Sequence, residues 1–194
     1  MKTRKSILII GILIFSSFVV TAREKKAKVD TAAFNRIVEL VKSKIFYITL
    51  DDAFPSGNSS IVIDSKYGKK TIGGEGHVSL AMNQGEIFLM DTIATGKLPF
   101  FGRAYSVPYG EGGGIEFEEA KLLNESLKVI QKRKKQFIMY SFQVRNRNDI
   151  FSFYVEIYSN GHCSVKVNSN KRASISYSGK VSSIPEDKKA IYMK

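Results

Sequence analysis

The stretch Phe151-Ser152-Phe153-Tyr154-Val155-Glu156-Ile157-Tyr158, then Asn160-Gly161, then Cys163, Val165 and Val167, decides the fold. Successive side chains of a strand leave on opposite faces. Phe151, Phe153, Val155 and Ile157 therefore share one face, and Ser152, Tyr154, Glu156 and Tyr158 share the other. Asn160-Gly161 is a two-residue hairpin signal, because both residues accept the backbone conformation such a turn requires. Upstream, Ile138, Tyr140, Phe142 and Val144 alternate before the turn Arg145-Asn146-Arg147-Asn148, and Leu127 and Val129 lead into a basic tip, Lys132-Arg133-Lys134-Lys135. Downstream, Asn168-Ser169-Asn170-Lys171 turns into Ile175, Tyr177 and Val181. Five strands joined by short turns make an antiparallel meander with one face buried.

The N-terminal half extends the pattern. Ile45-Phe46-Tyr47-Ile48-Thr49-Leu50 reads as a strand that ends at Asp51-Asp52 and the turn Pro55-Ser56-Gly57-Asn58, and Ile61-Val62-Ile63 follows. Val78, Leu80 and Met82 alternate up to Asn83-Gln84-Gly85, from which Ile87-Phe88-Leu89-Met90 returns, predicting a hairpin. Before these strands, Asp30 or Thr31 caps a helix expected over about 31–43, with Phe34, Ile37, Val38 and Val41 on one stripe that should lie on the sheet or close one end of it. The expected fold is mainly β, with nine or ten strands. It is an antiparallel meander curled into a barrel-like or strongly curved sheet, lipocalin-like in general shape, with one N-terminal α-helix.

The chain has 194 residues, a net charge of +12, 43% hydrophobic residues, one Cys and two His. Those figures suit one packed domain, 30–194, and exclude disorder, collagen, a coiled coil, a disulfide framework and a closed zinc site. Residues 1–22 read as a signal peptide: Lys2, Arg4 and Lys5 carry charge, Ile7 to Val20 are apolar, and Ala22 precedes the cut. Residues 23–29 form a basic leader, and whether the signal is cleaved or kept as an anchor stays open. Cleavage removes three basic residues and no acidic one, so the charge falls from +12 to +9. For an exported protein, periplasmic or extracellular, that charge suits an anionic lipid, an amphiphile, an acidic glycan or an acidic protein surface better than nucleic acid. Contact with a membrane surface fits this charge, and integral insertion after cleavage does not.

Four constellations invite a chemical reading. In Leu98 to Tyr109, the aromatics Phe100, Phe101 and Tyr105 surround Arg103, whose guanidinium can stack on rings and still offer its fork to a carboxylate or phosphate. The alternative is that Phe100 and Phe101 pack the core while Arg103 ties a loop. Gly110 to Gly114 opens a strand rather than a helix, and Thr95-Gly96-Lys97-Leu98 lacks the residues of a phosphate loop, so both read better as turns or close backbone contacts. His162 and Cys163 are neighbours on a strand and face opposite ways, which rules out a dyad between them; a hydrolase would need His77 to meet an acid and a hydroxyl. Turns of a meander alternate between its ends. Arg145, Arg147, Lys171 and Arg172 therefore share one end, opposite Lys132 to Lys135, either as an anionic-surface contact or as a solvated rim that discourages edge aggregation. Nothing here points to a catalytic set, a metal or a cofactor.

Leu98-Pro99-Phe100-Phe101-Gly102-Arg103-Ala104-Tyr105 followed by Gly112-Gly113-Gly114-Ile115-Glu116-Phe117, and later Asn170-Lys171-Arg172-Ala173-Ser174-Ile175-Ser176-Tyr177-Ser178-Gly179, resembles the exported Bacteroidetes domain-of-unknown-function family 4251. The resemblance spans nearly the whole mature chain. It implies export and this kind of fold, but no activity. Members of that family often carry a lipoprotein Cys after the signal, and no Cys stands there in this chain.

The expected function is that of a non-enzymatic envelope protein binding an apolar or amphipathic ligand near Phe100, Phe101, Arg103 and Tyr105. The alternative is a protein- or glycan-docking module with a filled interior and an exposed apolar or basic patch, and a hydrolase comes last.

Overall fold

The computed structural model describes residues 31–56, 61–65, 68–72, 76–106, 113–132, 135–146 and 149–192, with the side chains of 61–72 and 190–192 left aside. Residues 1–22 and 23–29, expected as signal peptide and basic leader, lie outside the described residues, as do Val107 to Gly112, Arg133-Lys134 and Arg147-Asn148. Helix α1, Thr31–Lys42, buries Phe34, Val38 and Val41, the expected stripe. Lys44, with φ of 58°, then turns the chain into strand β1, Ile45–Pro55.

The strands that follow are β2 (Ile61–Ser65), β3 (Gly68–Ile72), β4 (Val78–Ser79), β5 (Gly85–Met90), β6 (Ile93–Leu98) and β7 (Ile115–Lys121). After them come β8 (Leu123–Lys132), β9 (Lys135–Asn146), β10 (Asp149–Tyr158), β11 (His162–Ser169) and β12 (Ile175–Ser182). Helix α2, Glu186–Tyr192, closes the described chain. The main sheet runs β7-β6-β5-β1-β12-β11-β10-β9-β8, with β4 added against β1, and β2 and β3 pair by themselves. Every pairing is antiparallel. The expected meander is β8 to β12, and Gly161 takes the positive φ of 79° that its turn requires.

First and last strands pair, as in an up-and-down barrel, and the sheet curls through half a barrel. Its two edges, β7 and β8, are consecutive in sequence with only Leu122 between them. The switch from one edge to the other needs a sharp bend. Glu119 and Asn124 supply it at φ of 43° and 50°, a region costly for residues with a Cβ. Local hydrogen bonds hold the bend. Thr95 Oγ1 accepts from the Glu119 N–H at 3.0 Å, and Asn124 Nδ2 donates to Gln143 Oε1 at 2.7 Å. Across the gap, Asn146 Nδ2 donates to the carbonyl of Glu116.

The concave side is packed, chiefly by rings. Phe117 meets Phe153 edge-on at 5.5 Å, Phe153 stacks on Phe142 at 4.7 Å, and Tyr140 continues to Phe46 at 5.8 Å. Gly96 makes room for the first of these: a Cβ there would stand 2.4 Å from the Phe117 ring. The glycine flagged beside Lys97 thus serves a close packing contact. Ile37 of α1 lies 3.6 Å from the Cβ position of Gly161, so the helix covers the end of the sheet bearing the β10–β11 turn.

One expectation needs correction. Val78 to Met90 does not form a hairpin: β4 pairs with β1, and both edges of β5 are taken by β1 and β6. Leu80 donates its N–H to Asp51 O at 2.8 Å and is buried, while Met82 stands fully exposed in the connecting turn. The expected N-terminal helix is present, and α2 is a further helix on the C-terminal side. Pro185 ahead of Glu186 and Asp187 is a legible start signal for it, a proline and acidic residues at a helix N-terminus.

Candidate functional site

The Leu98 to Tyr105 loop crosses the end of the sheet away from α1 and is strapped to the β11–β12 turn. Ala173 N–H donates to Arg103 O, and Tyr105 N–H donates to Lys171 O, each at 2.8 Å. From below, the Tyr177 hydroxyl donates to Pro99 O at 2.8 Å. Burial raises the pKa of this phenol, against a smaller opposing pull from the nearby Arg172 charge, so it stays a neutral donor. The Phe100 ring folds back over Gly102, where a Cβ would stand 2.6 Å away.

Within this arrangement the expected residues divide. Phe100 and Phe101 pack, half-buried, against the core, whereas Arg103 and Tyr105 are exposed. The arginine that meets an aromatic face is Arg172: its Cζ stands 5.2 Å from the Phe100 centroid, and Nη1 donates to Gly113 O at 3.1 Å. Arg172 is only 8% exposed, so it does not join Arg145 and Lys171 as a solvated rim charge. The burial has a long-range cause, since the loop that covers it comes from β6. Arg147 lies outside the described residues.

His77 does find an acid and a hydroxyl. Its Nε2 is 2.9 Å from Asp52 Oδ1, and the Ser178 hydroxyl donates to Asp52 Oδ2 at 3.2 Å. A register shift between Leu50 and Asp52 in β1, where it pairs with β12, marks the place. The connectivity is not that of a nucleophile with its base, because the carboxylate stands between histidine and hydroxyl. Phe54 lies against the imidazole at 5.3 Å. Cys163 is buried, and burial pushes its thiol up to about 12, with a smaller contribution from Asp51. His162 points outward on the other face.

The convex face of the sheet holds what sequence reasoning missed. Cross-strand registers align Lys128, Met139, Glu156, Ser164, Ser178 and Asp52 in one row, and Ser141, Tyr154, Lys166, Ser176 and Phe54 in the next. Met139, Tyr154, Tyr158 and Phe54 are exposed there, as are Lys128, Lys166 and Lys180. Alternation places the members from β8 to β12 outside the core. Asp52 and Phe54 join them because the register shift in β1 breaks the alternation of Phe46, Ile48 and Leu50, and the grouping follows only from the register. At the β1–β5 end of the same face, Tyr47 and Phe88 stack at 4.5 Å beneath Ile184 and Lys188 of the C-terminal segment.

The family model described as "Domain of unknown function (DUF4251)" matches residues 28–181. Among solved structures, a DUF4251 family protein from Bacteroides eggerthii DSM 20697 superposes with a TM-score of 0.51 at 15% identity, over 84% of this chain and 93% of that one. That likeness concerns the fold alone. No curated protein matches the chain.

Proposed function

The chain belongs to the DUF4251 family, and from that premise we propose that it is an exported, non-enzymatic docking module of the bacterial envelope. It binds an acidic glycan on the open convex face of its sheet. One observation carries this reading: the concave side is filled by Phe46, Phe117, Tyr140, Phe142 and Phe153, while Tyr154, Tyr158, Lys128, Lys166 and Lys180 stand exposed on the other side. Tyrosine faces suit the C–H face of a sugar ring, and spaced ammonium groups suit its carboxylates. The +12 charge and the signal-like residues 1–22 support the compartment and the sign of the partner.

The other readings draw less support. An apolar ligand carried inside would have to displace packed rings. A hydrolase of the serine type would need His77 at the Ser178 hydroxyl, and the Asp52 carboxylate stands between them.

Titration calorimetry with an oligogalacturonate tests the proposal. Binding should be weakened at least about tenfold in a Tyr154→Ala/Tyr158→Ala variant and should fall with added salt. Equal affinity in the variant would sink it. Native mass spectrometry of protein purified from a bacterial periplasm, before and after organic extraction, separates the remaining alternative. The bare protein mass is expected in both samples, and a removable extra mass would instead mean a carried amphiphile.

A further inference from the structure

Among the described residues, two charged side chains are buried, Asp149 and Arg172. Asp149 is satisfied: one oxygen accepts the Ile150 N–H at 2.8 Å and the other the Ser169 hydroxyl at 2.7 Å. Arg172 is not. Nη1 reaches one neutral carbonyl, Phe100 covers one face of the guanidinium, and the buried Nε has no hydrogen-bond partner. Among the described residues no carboxylate forms an ion pair with it. A buried arginine without a counter-charge is costly, and an unpaired donor adds to the cost. Among the described residues, the adjacent Lys171 and the strapped-down Arg103 carry the same sign.

The edge that bears this unpartnered Nε has a definite chemistry. Nε with a neighbouring Nη forms the planar fork that receives two oxygens of a carboxylate or phosphate. We propose that Arg172 anchors a binding site for a single oxyanion group, a carboxylate or a phosphate, beneath the Pro99–Tyr105 strap. The ring of Phe100 fixes the guanidinium plane, and the carbonyl of Gly113 holds the opposite side of the fork. The strap is attached to the turn by a few backbone hydrogen bonds, those of Ala173 and Tyr105 foremost, so an anion enters by parting the strap from the turn. This site lies at one end of the sheet, and the proposal does not depend on glycan binding at the convex face.

The test follows the Arg172 Nε–H resonance in the wild-type protein while sodium chloride is replaced, at constant ionic strength, by sodium acetate or by inorganic phosphate. A saturable downfield shift with either oxyanion is expected, with a rise in melting temperature that follows the same curve. A response to phosphate alone assigns a phosphate-bearing ligand, and a response to acetate assigns a carboxylate. An Nε–H resonance unmoved by both anions overturns the site. Arg172→Lys keeps the charge and loses the fork, so its stabilisation by the same anion should require at least about tenfold more salt. Equal stabilisation of that variant would also overturn the proposal, and if it fails to fold, the wild-type resonance decides alone.

Discussion

The two halves of the convex face present the same strand chemistry and end differently. At β1 and β5, the outward Tyr47 and Phe88 are buried under Ile184, with the Lys188 ammonium 4.8 and 5.5 Å from the two ring centroids. At β9 and β10, the outward Met139, Tyr154 and Tyr158 remain between 41% and 49% exposed. A period of two decides which face a residue takes. What then covers that face depends on where the chain returns, and after β12 it returns across β1 and β5 only. The open half keeps side chains that tolerate water: the Tyr158 hydroxyl donates to Glu156 Oε2 at 3.2 Å.

The seam between the halves is β1 against β12, and Gly179 is its weakest tolerance. A Cβ at Gly179 would lie 1.9 Å from the carbonyl oxygen of Thr49, with further backbone atoms within 3.0 Å. Backbone cannot swing aside as a side chain does. Gly179→Ala should therefore cost about 3 kcal/mol or more and loosen both halves together. Urea unfolding followed by circular dichroism checks this, and a midpoint equal to wild type would mean that the close approach at the seam is dispensable. A smaller and one-sided effect is expected from Ile184→Ala, which strips the cover from Tyr47 and Phe88. The loss should be about 2 kcal/mol, and hydrogen exchange should speed up in Glu186–Tyr192 while β9 and β10 keep their protection. Equal acceleration in β9 and β10 would erase the distinction between the halves.

Local signals explain how much of this was legible. The strands β8 to β12 are joined by short turns, so alternation and turn residues sufficed to read them. The place of β1 was not legible, because it pairs with β5 on one side and with β12, at the far end of the chain, on the other. Long-range pairing leaves no local trace. The same holds for the anion site. Arg103 drew attention because three aromatics surround it in sequence, whereas Arg172 lies in the polar run Asn170 to Ser174. Only the strap from β6 buries Arg172 and brings Phe100 over it. On the convex face the outward residues of β10 were legible from alternation, but Asp52 and Phe54 were not, because the register shift in β1 reverses their side. The alignment of each row came with the pairing.

The open half should be nearly silent in stability. Tyr154→Ala/Tyr158→Ala is expected to change the unfolding free energy by no more than about 0.5 kcal/mol, because both rings are half in water already. The variant that should lose the oligogalacturonate should thus melt like the parent. A loss of stability several times larger would make these tyrosines part of the fold and remove the contrast with Tyr47.

The covered half should instead show its difference in pH, through Tyr47, Glu86 and Lys188. Lys188 Nζ donates to the Tyr47 hydroxyl at 2.9 Å and to Glu86, which also accepts the Tyr47 proton at 2.6 Å. Burial pushes Tyr47 up to about 12, and its hydrogen bond to Glu86 pushes the same way. Burial alone would raise Glu86 and lower Lys188, but their mutual hydrogen bond and those with Tyr47 outweigh it, leaving the carboxyl below its ordinary 4.5 and the amine above its ordinary 10.5. A depressed carboxyl stabilises the fold above its unfolded value and loses that contribution as the pH falls through its folded value. Raised groups contribute below their unfolded values and lose the contribution as the pH rises through their folded ones. The C-terminal cover should therefore hold firmest from about pH 5 to about pH 10 and loosen on both sides. Following the Tyr47 ring by NMR through an alkaline titration tests the upper limb: ionisation near pH 12, with Ile184 contacts weakening in step, is the expected result. Titration of Tyr47 at the ordinary value of 10 would mean that the cover leaves this ring in water, no differently from the open half.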